Sequence, residues 1–395
     1  MIKSDFFKYS FIGLLTMAVS APAAGQDGFT VTGSIEAIPD SIKVVLSDVE
    51  DPNGDVVKLA EAFTSAGAFS LKGSVKTPKM CRLSFRRKNT QGDYRNIFSV
   101  PLMVENTALA LSSPVGFDSL LNVTLPEHIM DISGGKAQEE FRDYVRASAD
   151  AQLKAKKMSY LEAKKYFDSN ADEDTVAKYS RLTDEAEARF AAVRDRFIKE
   201  HPAYNISAYL TQKELEKQFV YTADEINAMA DLVKVCPDTA RTSTVERRRA
   251  FALKYALKDP CPAFEVTRPD GSAVAFTSLT TPGKYTFIDF WASWCGPCRA
   301  AIPHVRELYK KYGDRLDIFS VSGDDNEKAW RKAMDEEKME WSQFILKDEQ
   351  MQKAADAFFL TTIPRLILLD PEGRVICSTN KPAVVTSCLE KHLGK

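Results

Sequence analysis

Apolar and polar positions follow three successive patterns along the 395 residues. Over 27–120 short apolar-polar runs are separated by turn residues: Phe29-Thr30-Val31-Thr32-Gly33, Lys43-Val44-Val45-Leu46, Ala68 to Gly73, Cys81 to Phe85, and Pro101 to Val104. Strands of this length and spacing predict a small antiparallel sandwich or barrel, with Asp51-Pro52-Asn53-Gly54-Asp55 as one of its turns. Over 130–257 the composition shifts to Ala, Glu, Lys and Arg, and apolar residues recur at helical spacing, as in Phe141, Tyr144 and Val145 or Phe190, Val193 and Phe197. His201-Pro202 and Cys236-Pro237 break these helices, and Thr222-Ala223-Asp224-Glu225 has the form of a helix cap. The apolar positions hold no heptad for long, which predicts a solvated bundle rather than a coiled coil. Over 260–395 an apolar run at Tyr285–Asp289 precedes a helix, a strand at Asp317–Val321, a helix after Asp325, a helix near Ala354, a strand at Arg365–Leu369, a strand at Arg374–Cys377 and a last helix from about Val384. A hairpin turn at Pro269-Asp270-Gly271-Ser272 comes before them. The chain thus reads as multi-domain: all-β, then helical, then α/β with a βαβ unit followed by ββα.

The first 24 residues stand apart. Lys3 and Lys8 precede an apolar run from Phe11 to Val19 and then Ala21-Pro22-Ala23-Ala24-Gly25, the layout of a secretory signal peptide cleaved after Ala23 or Ala24. The run is shorter than the ~20 residues that span a bilayer, and no cysteine lies near the cleavage region to take a lipid. The expected location is therefore periplasmic. A formal charge of −2 with mixed signs lacks the basic footprint of a nucleic-acid binder. Seven cysteines are an odd count for an exported chain, so at least one thiol stays free, pairs with another molecule or belongs to a cycling couple. Five of them, Cys81, Cys236, Cys261, Cys377 and Cys388, show no stapling framework and read mainly as buried apolar residues. Cys377 with Cys388 is the pair that a strand and its following helix can bring together.

The remaining two cysteines carry the chemistry. Phe290-Trp291-Ala292-Ser293-Trp294-Cys295-Gly296-Pro297-Cys298-Arg299 places them at a strand-to-helix junction, where free backbone N–H groups and the positive helix end favour a thiolate. Cys295 is then the exposed nucleophile. Cys298, one turn on, is placed to attack a mixed disulfide formed at Cys295. Half of a zinc site is the alternative reading of C-x-x-C, but two further ligands at comparable spacing are missing, and heme attachment needs a His where Arg299 stands. Trp294-Cys295-Gly296-Pro297-Cys298 matches the active-site pentapeptide of thioredoxins, and 260–395 resembles thioredoxin-fold envelope thiol-disulfide oxidoreductases of the TlpA/ResA-like type. Phe29 to Gly33, Ala68 to Gly73 and Leu102 to Asn106 resemble the β domain that precedes such modules in Bacteroidetes envelope proteins.

Asp289 sits in the apolar strand six residues before Cys295; burial raises a carboxyl pKa, which suits it to take a proton from Cys298. Thioredoxins have an aspartate at this offset, and the resemblance assigns it that role, against the alternative of a core acid with a structural partner. Pro303 falls where the family has a helix proline. Ala301 stands where related oxidoreductases often have a glutamate, leaving the proton role to Asp289. His304 is expected on the helix surface without a role. The resemblance makes Ile363-Pro364 the cis-proline pair facing the dithiol and implies substrate contacts at Trp294, Ile363 and Pro364, with Arg365 departing from the usual threonine. It implies an enzyme that reduces client protein disulfides through its own dithiol, with no other cofactor and no metal. Its partners would be client proteins with disulfides or thiols and a membrane-bound electron donor. A binding protein with a passive thioredoxin module is one alternative. A thiol peroxidase is another, but its Thr-x-x-Cys context is absent, since Ala292 lies three residues before Cys295.

Overall fold

The structure is a computed structural model that describes residues 27–50, 56–166, 168 and 172–393. The expected signal peptide and the turn at 51–55 lie outside the described residues. The chain divides into two compact units, one ending at Asp143 and one beginning at Tyr144.

The first unit is a sandwich. Its strands are β1 (Phe29–Ser34), β2 (Lys43–Asp48), β3 (Val57–Phe63), β4 (Ala68–Gly73), β5 (Lys79–Lys88), β6 (Tyr94–Val104), β7 (Ala108–Ser112) and β8 (Asp131–Ser133), with the short helix α1 (Phe117–Leu120) before β8. They form two four-stranded sheets, β4-β1-β7-β8 and β3-β2-β5-β6. Inward side chains of both sheets, among them Val31, Leu71 and Leu109 facing Leu46, Leu83 and Phe85, share one core. Phe85 stacks on Phe98 with ring centroids 4.4 Å apart and meets the edge of Phe69 at 5.7 Å. The expected antiparallel arrangement needs one correction: β1 and β7 are parallel, because the whole of β2 to β6 intervenes between them. Pro101 lies inside β6, where its missing N–H is tolerated because β6 is an edge strand.

The second unit begins with helices. α2 (Lys136–Tyr166) spans the division, and α3 (Glu173–Glu200), α4 (Asn205–Glu214), α5 (Ala223–Leu232) and α6 (Thr239–Leu253) follow. α3 ends at His201, before Pro202, and the Thr222 and Glu225 side chains form a full capping box on α5. Ile198, Ala208, Leu215, Ile226, Ala230 and Val245 build a core of their own.

The α/β part carries a seven-stranded sheet of order β10-β9-β13-β12-β11-β14-β15. Its strands are β9 (Glu265–Thr267), β10 (Ala273–Ala275), β11 (Tyr285–Trp291), β12 (Leu316–Ser322), β13 (Ser342–Ile345), β14 (Arg365–Leu369) and β15 (Val375–Thr379). The helices are α7 (Gly296–Tyr312), α8 (Glu327–Glu336), α9 (Glu349–Phe358) and α10 (Pro382–His392). β11, β12 and β13 are parallel, β14 runs antiparallel beside β11, and β15 runs antiparallel beside β14, a thioredoxin-like order. The predicted hairpin joins β9 to β10: Gly271 takes φ +88°, and the Asp270 carboxylate accepts from the Ser272 N–H and hydroxyl. Successive β11 side chains face opposite sides. Phe287 and Trp291 enter one core with Ile302, Val305 and Leu389, while Ile288 and Phe290 enter another with Phe264, Phe276 and Phe358.

The helices and the α/β part are interleaved. Phe219, in the left-handed region at φ +53°, packs into the second of these cores against Phe358, and its N–H donates to the Tyr255 carbonyl at 2.8 Å. The Lys258 N–H donates to the Val375 carbonyl, and Lys381 pairs with Glu162 and Asp184. The bundle is thus not solvated on every side.

Candidate active site

β11 is an interior strand, bordered by β12 and β14, and it delivers the chain to the start of α7 at its C-terminal end. Gly323 N–H donates to the Trp291 carbonyl at 2.9 Å, so the end of β12 holds the end of β11. Ser293 is fixed from the same side: its N–H and its hydroxyl donate to the two oxygens of Asp324 at 2.8 and 2.6 Å. Ser322 adds a hydroxyl bond to Asp324 at 2.6 Å, and Asp324 is only 4% exposed. The strand-to-helix turn is therefore clamped just ahead of Trp294.

Cys295 is the N-cap of α7, with extended backbone, and Cys298 lies one turn inside. The two are joined as a disulfide, with Cα atoms 5.2 Å apart. The Cys298 N–H points at the Cys295 sulfur at 3.2 Å, so one of the unsatisfied amides of the helix start faces the position where thiolate charge develops on reduction. Pro297 sits in the first turn, where no N–H is needed. The expected exposure of Cys295 is not observed in the disulfide: Cys295 is 5% and Cys298 2% exposed. The accessible surface beside them is Trp294, 71% exposed, an aromatic face held at the rim by the clamp on Ser293.

Asp289 is 3% exposed. Alternation along β11 places it on the same side of the sheet as Phe287 and Trp291, the side whose core includes both cysteines. Burial pushes its carboxyl up to about 7, opposed by a hydrogen bond from the Ser320 hydroxyl at 2.9 Å. Ser320 is its register partner on β12 and in turn accepts from Trp341 Nε1 at 2.8 Å. Asp289 therefore titrates near neutrality and is held by a two-link chain of donors.

The Ile363-Pro364 bond is cis, and Ile363 packs against the core that holds the dithiol. Arg365 opens β14 opposite Phe290, and burial lowers the pKa of its guanidinium. Pro303 lies inside α7, as expected, and Ala301 is buried there. His304 differs from the expectation of a surface residue. Its Nε2 lies 2.7 Å from the Thr386 hydroxyl, so it fastens α7 to α10, and burial lowers its pKa. Ser320, Trp341, Ser322 and Asp324 were missed in the sequence reading. The one available signal is polarity: Ser320 and Ser322 interrupt the apolar run that begins at Ile318, and Asp324 lies two residues further on. Among the described residues no group of three or more His, Cys, Asp or Glu is placed to hold a metal ion, and no helix is long and apolar enough to cross a membrane.

Residues 283–375 match a family model described as thioredoxin-like, and residues 29–141 match a domain of unknown function, DUF4369. Thiol-disulfide oxidoreductase ResA of Bacillus thuringiensis (strain Al Hakam) is 27% identical over 124 residues, 31% of this chain and 69% of that protein. Nucleoredoxin of Xenopus laevis is 33% identical over 112 residues, 27% of each chain. Among solved structures, the thioredoxin domain of a thiol-disulfide oxidoreductase from Bacteroides vulgatus is 28% identical, covering 35% of this chain and 97% of that one, with a TM-score of 0.33.

Proposed function

From a chain whose C-terminal part is a thioredoxin-like thiol-disulfide oxidoreductase, we propose a reductant of client protein disulfides in the periplasm. The observation that carries this reading is the placement of Cys295 at the cap of α7 with Asp289 buried on the same side of the sheet. In the reduced enzyme the Cys295 thiolate attacks one sulfur of a client disulfide. A Cys295–client bond forms and the other client sulfur leaves as a thiolate. Cys298 then attacks Cys295 Sγ, passing its proton towards Asp289, and the client departs with both cysteines reduced. Trp294 and the Ile363-Pro364 segment form the surface on which the client lies.

The Gly296-Pro297 filling supports a reducing couple, since thioredoxin with the same filling lies near about −270 mV and the oxidant DsbA near about −120 mV, a gap of ~7 kcal/mol for two electrons. The leader pattern supports export, and an oxidising compartment requires a membrane-bound donor to return electrons to Cys295–Cys298. With Cys298→Ala, Cys295 is expected to retain clients as stable mixed disulfides identifiable by mass spectrometry of envelope fractions. Recovery of no envelope protein, or a potential near that of DsbA, overturns the reductant reading. Retention of full function by a Cys295→Ser, Cys298→Ser double variant would instead make the domain a passive module.

A further inference from the structure

A second pair of thiols lies at the edge of the sheet formed by β15, two strands from β11. Cys377 is on β15, opposite Leu368 of β14, and Cys388 is on α10, which packs back on that strand. Cys388 Sγ lies 3.6 Å from the carbonyl of Ile376, the neighbour of Cys377, and the largest influence on either thiol is the other. One turn further along α10, His392 Nδ1 lies 2.8 Å from the Cys388 carbonyl and 3.9 Å from the Cys388 sulfur. A carbonyl only accepts, so Nδ1 carries the hydrogen towards it, and the sulfur is the more distant neighbour of the same nitrogen. Cys388 is half-buried, while Cys377 is 8% exposed. The neighbouring Cys377 thiol, with His392 and Lys391 nearby, lowers the Cys388 pKa against burial, whereas Cys388 and burial raise that of Cys377. The carbonyl end of α10 works against a thiolate here, so the local donors have to outweigh it.

We propose that Cys377 and Cys388 are a second redox-active dithiol, in which Cys388 attacks an incoming disulfide and Cys377 closes the pair. Cys388 Sγ forms a bond to one sulfur of the incoming disulfide, whose S–S bond breaks and releases a thiolate. Cys377 then attacks Cys388 Sγ, giving its proton to a departing thiolate. The Cys377–Cys388 bond forms, the mixed disulfide breaks, and two electrons have passed to the incoming disulfide. The closed bond would tie β15 to α10, the helix already joined to the dithiol helix α7 through His304 and Thr386.

The test uses the full chain carrying Cys295→Ser and Cys298→Ser, with oxidised glutathione as the probe. After incubation and alkylation, peptide mass spectrometry is expected to find Cys377 linked to Cys388. Addition of Cys377→Ala is expected to stop the reaction at glutathione on Cys388. In the native chain, iodoacetamide at neutral pH is expected to label Cys388 roughly tenfold faster than Cys261, whose thiol burial pushes up to about 12. Equal labelling of Cys388 and Cys261, or glutathione on Cys388 with Cys377 present and no closure, overturns the proposal. The labelling comparison needs no substitution, so it decides even where a variant fails to fold.

Discussion

Ionising a carboxyl that is closed off from water, with one hydroxyl as its partner, costs stability, and Asp289 is in that position. Its folded value of about 7 lies above the ordinary 3.8. Between these two values the folded chain holds a proton that the unfolded chain has released, so stability falls as pH rises through this window and is level above it. The full span is up to about 4 kcal/mol. Asp289→Asn removes the titration, so the variant is expected to gain on the parent as pH rises from about 4 to 8, read from denaturant midpoints across that range. A stability difference independent of pH would show that folding does not shift the Asp289 carboxyl. The same substitution is expected to slow release of a mixed disulfide more than its formation, because in the proposed mechanism the carboxyl takes the Cys298 proton; stopped-flow traces separate the two steps. Equal slowing of both would make Asp289 a structural residue.

The turn between β11 and α7 depends on an acceptor from another element. Asp324 receives the Ser293 N–H, the Ser293 hydroxyl and the Ser322 hydroxyl. Asp324→Ala leaves these donors without that acceptor, at about 1–3 kcal/mol for each that stays buried and unpaired. The variant is expected to lose roughly 2–4 kcal/mol of stability, and the amides of Ser293, Trp294 and Cys295 are expected to exchange faster with solvent. Unchanged exchange at these amides would place the clamp elsewhere. At this scale the sequence was readable where one chain segment carries its own pattern. β1 and β4 alternate cleanly, the capping box is local to four residues, and the C-x-x-C motif sits at its junction. β3 escaped notice because its side chains are exposed or half-exposed on both faces, leaving no alternation to read. β13 is only four residues long and opens with Ser342-Gln343. The links of the Asp289–Ser320–Trp341 chain were not readable, since its members meet only through the pairing of β11 with β12 and the approach of the segment before β13.

Over residues 144–395 the helices and the sheet behave as one body because they exchange side chains across the boundary in composition. Phe219 comes from the helical stretch, is 4% exposed, and lies against Tyr255 and Phe358 at ring distances of 5.7 and 6.3 Å. Phe219→Ala is expected to cost about 3–5 kcal/mol, and helical and aromatic signals should still melt together. Separate transitions for the helices and the sheet would show that the two fold independently. Composition alone draws the line near Pro260, whereas the Phe219 ring crosses it. A recombination event that copied only the segment from residue 260 onward would carry the dithiol, Asp289 and the cis-proline to a new gene, together with a core in which Phe358 has lost the Phe219 ring that packs against it. The inheritable unit of this chemistry is therefore longer than its catalytic sequence: it includes the donor of that ring, or a recipient chain that supplies one.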